Sequence, residues 1–171
     1  MVIALTRFEA LYGFCSITEL SELLSSIPSF RDLVGDEATH CVYSAKERAD
    51  AGEQNPELAR SAIRQAFKAV LEADNEKVKA SARNLIRTAK GFIATGAKTS
   101  GVMPENLAKL IIQLPAQYPD DIGLFIMLFM NYVELEPGEA MFVQSGELHA
   151  YLSGGMPTVP LAMLIDNGIV Y

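Results

Sequence analysis

One histidine, His149, is the residue whose type and position in this chain best suit chemistry. It follows a segment in which Pro137-Gly138 and Ser145-Gly146 flank apolar positions, a pattern that predicts two short strands joined as a hairpin. His149 stands at the start of the second strand. Tyr151 follows two residues later, and alternation along a strand places the two side chains on one face.

The glycine and histidine spacing of this segment resembles the second half-motif of cupin barrels. Gly138 and Gly146 are separated by seven residues, and His149 follows Gly146 after two more. The resemblance implies a histidine that points into a barrel mouth as a metal ligand. Spacing alone leaves open a solvated or hydrogen-bonded histidine at a strand edge. Four acidic residues lie nearby in the sequence: Glu134, Glu136, Glu139 and Glu147. We expect them to form a solvated strand face and turn, and the alternative is that they form a metal-binding cluster.

The other residues that could bind metals or phosphate show weaker patterns. Cys15 and Cys41 lie far apart without CxxC spacing, which is typical of buried thiols in a reducing compartment. We predict that His40 lies on a helix surface or is packed, without a function. Five basic residues recur at helical spacing: Lys77, Lys79, Arg83, Arg87 and Lys90. They predict the solvent-facing side of a helix, and the alternative is a phosphate-binding site.

Composition excludes several classes of protein. Half of the 171 residues are hydrophobic and a fifth are charged, which is typical of a globular chain with one ordinary core. The net charge of −7 argues against nucleic acid as a partner. The start of the chain lacks the pattern of a signal peptide, and the longest apolar run, residues 122–133, is shorter than the roughly 20 residues of a membrane span. We therefore expect a soluble cytoplasmic protein that binds neither nucleic acid nor membrane.

The middle of the chain predicts an all-helical domain over residues 16–115. Ser16 and Glu19 form a capping box before a helix with one apolar face, which Pro28 ends. Asn55-Pro56 caps another helix, and the same periodicity continues to near Gly96. A last helix is predicted between Pro104 and Pro115.

Both ends of the chain predict β structure. Residues 1–15 favour a strand, with a helix as the alternative because the pattern is short. Residues 116–171 contain a predicted strand over Leu124–Leu135 and the predicted hairpin over Ala140–Leu152. The predicted fold class is therefore α+β, with β segments on either side of a helical domain. Three or four strands cannot close a barrel, so we expect open strand edges and a chain that is a piece of a larger fold.

Five segments resemble a more specific family, the type I phosphomannose isomerases. The likeness extends over residues 1–154, and the combination of PGEA and HAYL is specific to that family. The segments are Ile3-Ala4-Leu5-Thr6, Gln117-Tyr118-Pro119-Asp120-Asp121-Ile122-Gly123, Asn131, Glu136-Pro137-Gly138-Glu139-Ala140-Met141-Phe142 and His149-Ala150-Tyr151-Leu152-Ser153-Gly154.

The resemblance implies a zinc-dependent aldose–ketose isomerase on a partial, cupin-like jelly-roll with an inserted helical domain. Such an enzyme interconverts mannose 6-phosphate and fructose 6-phosphate, in carbohydrate metabolism that leads to GDP-mannose. By motif match, His149 corresponds to one of the family's zinc ligands and Tyr151 to its active-site tyrosine. The alternative for Tyr151 is a side chain that only packs, with its hydroxyl at the surface. The chemistry needs a cation that polarises the sugar carbonyl, a base beside the neighbouring carbon and an anchor for the phosphate.

The chain departs from the family pattern at both ends. The family's other zinc ligands come from a Gln-x-His pair and from the glutamate of a Lys-Pro-Glu motif, neither of which matches a segment here. Downstream, Asp166-Asn167 resembles part of the family's arginine motif, but Val170 stands at the arginine position. We therefore expect an internal piece of the enzyme with one zinc ligand. The alternative is a non-catalytic or vestigial interaction module whose β ends pair with another chain.

Overall fold

The chain forms two compact units. A computed structural model describes residues 2–53, 55–95, 105–113, 122–144 and 146–154. One unit, here called the β unit, draws on Met1–Phe14 and Met130–Tyr171, and the other, the helical unit, on Cys15–Phe129. The fold class predicted from the sequence, α+β with β segments on either side of an all-helical part, is confirmed.

The β unit contains two small antiparallel sheets. Strand β2 lies in the centre of the larger sheet, with β3 on one edge and β5 on the other, while β1 pairs with β4 in a two-stranded ribbon. The larger sheet brings together residues from the two ends of the chain. The strands are β1 (Val2–Ile3), β2 (Phe8–Phe14), β3 (Met130–Leu135), β4 (Ala140–Met141) and β5 (His149–Ser153).

The predicted hairpin between Ala140 and Leu152 is wrong, although both strands exist and His149 does begin the second. β4 pairs with β1 through Ile3 and Ala140, and β5 pairs with β2 through Tyr12 and His149. Gly146 has a positive φ of 83°. The strands separate because each finds a partner in the first 14 residues, and such distant pairings leave no local pattern in the sequence.

A small apolar core holds the β unit together on one face of the larger sheet. Ala4, Phe8, Ala10 and Leu135 are buried there. Half-buried side chains from both sheets pack against them: Val2, Val133, Met141 and Tyr151. The face that carries Tyr151 is therefore the interior face of the unit.

The helical unit follows the local signals of the sequence closely. The Glu19 amide donates to Ser16 Oγ at 3.2 Å and the Ser16 amide donates to Glu19 Oε2 at 2.9 Å, as the capping box predicts. Asn55 Oδ1 accepts from the Leu58 amide, and Pro56 occupies the first turn behind it. The helices are α1 (Ile17–Ser26), α2 (Pro28–Val34), α3 (Asp36–Asp50), α4 (Pro56–Leu71), α5 (Asn75–Thr95), α6 (Glu105–Gln113) and α7 (Gly123–Ile126).

An aromatic cluster forms the centre of this unit. Phe30 lies edge-on to Phe129 at 5.2 Å between ring centroids and stacks on Phe125 at 6.2 Å, and Phe67 meets Phe129 at 5.3 Å. The predicted strand over Leu124–Leu135 is therefore wrong in its first half: α7 and a 3-10 turn over Met127–Phe129 precede β3. A short apolar run fits a buried helix as well as a strand, and burial in this cluster decides for the helix.

The two ends of the helical unit meet. The Cys15 amide donates to the Phe129 carbonyl at 2.7 Å. The residues next to them, Phe14 and Met130, are paired across β2 and β3. The helical unit is thus an insertion between two neighbouring strands, since its entry and exit lie side by side.

The surface of the helical unit is polar along α5. Lys77, Arg83, Arg87 and Lys90 are exposed, as predicted, and Lys79 is half-buried with an ion pair to Glu76. Among the helices that the structure describes, none combines the length and apolar character that crossing a bilayer requires.

Candidate functional site

His149 and Tyr151 lie together on the interior face of the larger sheet. The centroids of their rings are 5.6 Å apart. Both side chains are half-buried. The centroid of the Tyr151 ring also lies 5.5 Å from that of Phe8, a buried apolar neighbour. The strand alternation expected from the sequence is therefore present, because His149 pairs with Tyr12 and Tyr151 pairs with Ala10 on β2.

The imidazole of His149 contacts a backbone carbonyl two residues earlier in the chain. Its Nδ1 lies 2.9 Å from the carbonyl oxygen of Glu147. A carbonyl oxygen only accepts, so in the neutral ring the proton is on Nδ1 and the lone pair is on Nε2. This is the arrangement in which histidine presents Nε2 to a metal while its other nitrogen donates to a carbonyl.

Tyr12 is the neighbour of His149 on the adjacent strand, and it also contacts Gln144. Tyr12 lies opposite His149 in the ladder between β2 and β5. Its hydroxyl oxygen accepts a hydrogen bond from the Gln144 amide at 3.2 Å, which ties the segment after β4 to β2. The sequence interpretation missed Tyr12, because only the pairing of β2 with β5 brings it beside His149.

The chemistry of His149 fits one position of a zinc site. Within the described residues, however, no three His, Cys, Asp or Glu side chains lie close enough together to hold a metal ion. The four acidic residues from Glu134 to Glu147 therefore form no metal cluster there. His40 is exposed on α3 in the other unit, as predicted for a helix-surface residue. Residues 155–171, with Asp166-Asn167, lie outside the described residues.

The two cysteines belong to the helical unit. Both are free thiols, Cys15 buried and Cys41 half-buried. Burial raises the pKa of the Cys15 thiol to about 12, which keeps it protonated at neutral pH. Its sulfur lies 3.8 Å from the Leu128 carbonyl oxygen. Metals bind the thiolate form, so Cys15 is a structural residue.

The opposite face of the sheet carries a second polar cluster that the sequence interpretation missed. The Glu9 carboxylate accepts hydrogen bonds from Tyr132 Oη and, at 2.5 Å, from Ser153 Oγ, so it joins all three strands. These hydrogen bonds, Ser153 first, lower the pKa of Glu9. Burial and the hydrogen bond to Glu9 raise the pKa of the Tyr132 phenol. Glu134 forms an ion pair with Arg7 nearby.

Comparison with known proteins identifies relatives of both units. A family model for the helical insertion domain of type I phosphomannose isomerases matches residues 33–130. Mannose-6-phosphate isomerase from Emericella nidulans is 35% identical over 163 residues, which cover 90% of this chain and 35% of the relative. The enzyme of the same name from Bos taurus is 34% identical over 154 residues, covering 90% of this chain and 34% of its own length.

A solved structure shows the same fold. The crystal structure of mannose 6-phosphate isomerase from Salmonella typhimurium bound to substrate and to a zinc atom matches with a TM-score of 0.59 at 27% identity. The match covers 90% of this chain and 32% of that one. The chain therefore spans about a third of the length of the relatives that it matches.

Proposed function

The chain belongs to the type I phosphomannose isomerase family, and from this premise we propose that it serves the zinc-dependent interconversion of mannose 6-phosphate and fructose 6-phosphate. The enzyme proposed is a cytoplasmic isomerase built on a cupin-like jelly-roll. In this proposal the larger sheet of the β unit carries part of the active site, and the inserted helical unit is a supporting domain.

The observation that carries the proposal is the state of His149. Its Nδ1 lies 2.9 Å from the Glu147 carbonyl oxygen, which assigns the proton to Nδ1 and the lone pair to Nε2, and the centroid of its ring lies 5.6 Å from that of Tyr151. A histidine that served only as a packed or solvated side chain would need neither this tautomer nor a tyrosine on the same interior face. The family relationship adds a reason for both, since a zinc-bound structure is among the relatives.

The proposed roles follow from the chemistry of each group. His149 contributes Nε2 as one zinc ligand. When bound, the zinc ion would polarise the carbonyl oxygen of the sugar, which favours removal of a proton from the neighbouring carbon. Tyr151 carries a phenol hydroxyl, a group that can donate a hydrogen bond to a substrate oxygen, and the Phe8 ring packs against the Tyr151 ring. The described residues place no group of three possible ligands around His149, so the proposal requires that further zinc ligands come from outside them.

Zinc content and isomerase activity test the proposal directly. Purified protein should contain zinc and should convert fructose 6-phosphate to mannose 6-phosphate. His149→Ala should lose at least tenfold in zinc affinity, since deletion of a ligand costs more than the roughly 10- to 100-fold effect of a supporting residue. Zinc per chain is measured by mass spectrometry after dialysis against buffers of controlled free zinc.

The chain offers a matched control, because it has two histidines. His40 is exposed on α3 in the helical unit, so His40→Ala should keep both zinc and activity. Tyr151→Phe should keep zinc and lower kcat. Zinc that persists in the His149→Ala variant would reject the ligand assignment. Protein without zinc and without activity would reject the isomerase proposal for this chain.

The second candidate is an interaction module whose β unit pairs with another polypeptide. One observation favours it: large apolar side chains are exposed on and beside the β1–β4 ribbon, with Phe142 at 73%, Leu5 at 58% and Ile3 at 42% of their full accessible areas. An exposed apolar surface of this kind marks a site of contact. Association of purified protein in solution, without zinc or activity, would support this candidate over the isomerase.

A further inference from the structure

We propose that Asn131 is a positioning residue that holds the His149 imidazole in its metal-binding tautomer, through a clamp on the bulge at Gly13. This proposal rests on the proposed function, because the tautomer matters for metal binding only if His149 is a zinc ligand. The clamp consists of the Asn131 side chain, the backbone of residues 12–14 and the carbonyl of Leu148.

The clamp begins with an irregularity in the ladder between β2 and β3. Pairing is regular from Phe8 with Leu135 to Tyr12 with Asn131, and the next pair is Phe14 with Met130. Gly13 is therefore an extra residue, a bulge, with a φ of 60°. A bulge leaves strand backbone groups without regular partners and bends the strand, so it needs support from elsewhere.

Asn131 supplies that support on both sides of the bulge. Its Nδ2 donates to the Tyr12 carbonyl at 3.1 Å and to the Phe14 carbonyl at 2.9 Å. An amide nitrogen has two protons and both are used, which also fixes the orientation of the side chain. Aspartate has nearly the same shape as asparagine but would turn an acceptor toward two acceptors.

The bulge in turn holds the start of β5. The Gly13 amide donates to the Leu148 carbonyl at 2.8 Å. Leu148 immediately precedes His149, and Glu147, whose carbonyl accepts from His149 Nδ1, immediately precedes Leu148. Correct placement of the Glu147 carbonyl thus depends on the Leu148 peptide, which depends on the bulge that Asn131 holds. The clamp therefore determines which imidazole nitrogen carries the proton.

Nuclear magnetic resonance of the imidazole nitrogens tests this without metal or activity. A His40→Gln background leaves His149 as the single histidine, because the chain contains two. In metal-free protein above the pH at which the ring is protonated, we expect the Nδ1–H tautomer to dominate. Asn131→Asp should lower the ratio of Nδ1–H to Nε2–H by about fivefold, the effect of one typical hydrogen bond.

Ser153→Ala is the matched control. It removes a side-chain hydrogen bond of the same sheet, on the same strand as His149 but on the opposite face and outside the clamp. Its tautomer ratio should equal that of the unsubstituted background. A folded Asn131→Asp variant with an unchanged ratio would overturn the proposal, as would an equal change in Ser153→Ala, which would indicate general loosening of β5.

A second measurement decides the matter if Asn131→Asp does not fold. In the unsubstituted protein the two Nδ2 protons of Asn131 should exchange slowly with solvent and have separate resonances, and the Gly13 amide should be protected. Rapid exchange of these protons would refute the clamp. The proposed function and the clamp are rejected by different results. If the Nδ1–H tautomer depends on Asn131 but the protein never binds zinc, the isomerase proposal is rejected. If the protein binds zinc but the tautomer ratio does not change in Asn131→Asp, only the clamp is rejected.

Discussion

Replacement of Gly154 by alanine should destabilise the β unit more than any other glycine-to-alanine change at a described positive-φ position. Gly154 follows β5 directly and has a φ of 110°. A Cβ atom built there lies 2.7 Å from the Arg7 carbonyl oxygen and 2.8 Å from Phe8 Cα. Both contacts are with backbone of the region where β2 begins, so no side-chain rotation relieves them.

Two costs add in this variant. A residue with a Cβ in a sparsely populated backbone region costs about 1–3 kcal/mol. The overlap with β2 is a case of overpacking, which typically costs a further 1–3 kcal/mol or so. The sum, about 2–6 kcal/mol, is a large fraction of the roughly 5–15 kcal/mol by which a domain is stable. Relief by moving β5 away from β2 would also separate Tyr151 from Phe8.

Gly138→Ala separates the two costs. Gly138 has a similar φ, 91°, but a Cβ there meets nothing within 4 Å. Urea unfolding should be followed by tyrosine fluorescence, to which the β unit contributes four of the six tyrosines, and by far-ultraviolet circular dichroism for the helical unit. Both probes are needed because two units need not unfold together. We expect Gly154→Ala to lose about 1–3 kcal/mol more than Gly138→Ala in the fluorescence transition. Equal losses in the two variants would refute the argument from close backbone approach.

Two further predictions concern ionisable groups. Burial raises the pKa of the Cys15 thiol to about 12, so at mildly alkaline pH the native protein should have a single reactive thiol, that of Cys41. Thiol labelling followed by peptide mass spectrometry checks this. Modification of Cys15 before Cys41 would contradict the prediction. The pKa of Glu9 is lowered from 4.5 in the folded state, so its stabilising contribution is complete above that value and disappears as pH falls through the lower, folded-state pKa. The difference in urea midpoint between the unsubstituted protein and Glu9→Gln should therefore shrink between about pH 7 and about pH 3, and a constant difference would show that the Glu9 charge is not responsible.

The helical unit could be predicted largely from local sequence. The capping box at Ser16 and Glu19 and the cap at Asn55 involve residues three positions apart, so their geometry is settled within one helical turn. The main error, a strand over Leu124–Phe129, arose where a short apolar run has no caps and no clear period. There the aromatic cluster around Phe129 determined the structure.

The sheet and its polar groups could be predicted only in part. Placement of His149 and Tyr151 on one face follows from strand alternation alone. The hydrogen bonds from Asn131 to Tyr12 and Phe14 span 119 and 117 positions, and the bond from Ser153 to Glu9 spans 144. No pattern in a single sequence connects residues so far apart.

The sequence by itself determined helices α1, α4, α5 and α6, the caps of α1 and α4, the order of β and helical parts, and the position of a histidine and a tyrosine on one strand face. Each of these depends on residues within a few positions of one another. The tertiary structure alone decided that β5 pairs with β2 instead of β4, and that the bulge at Gly13 lies against Leu148. These features depend on hydrogen bonds between segments that are distant in the sequence, and such bonds form only when folding brings the segments together.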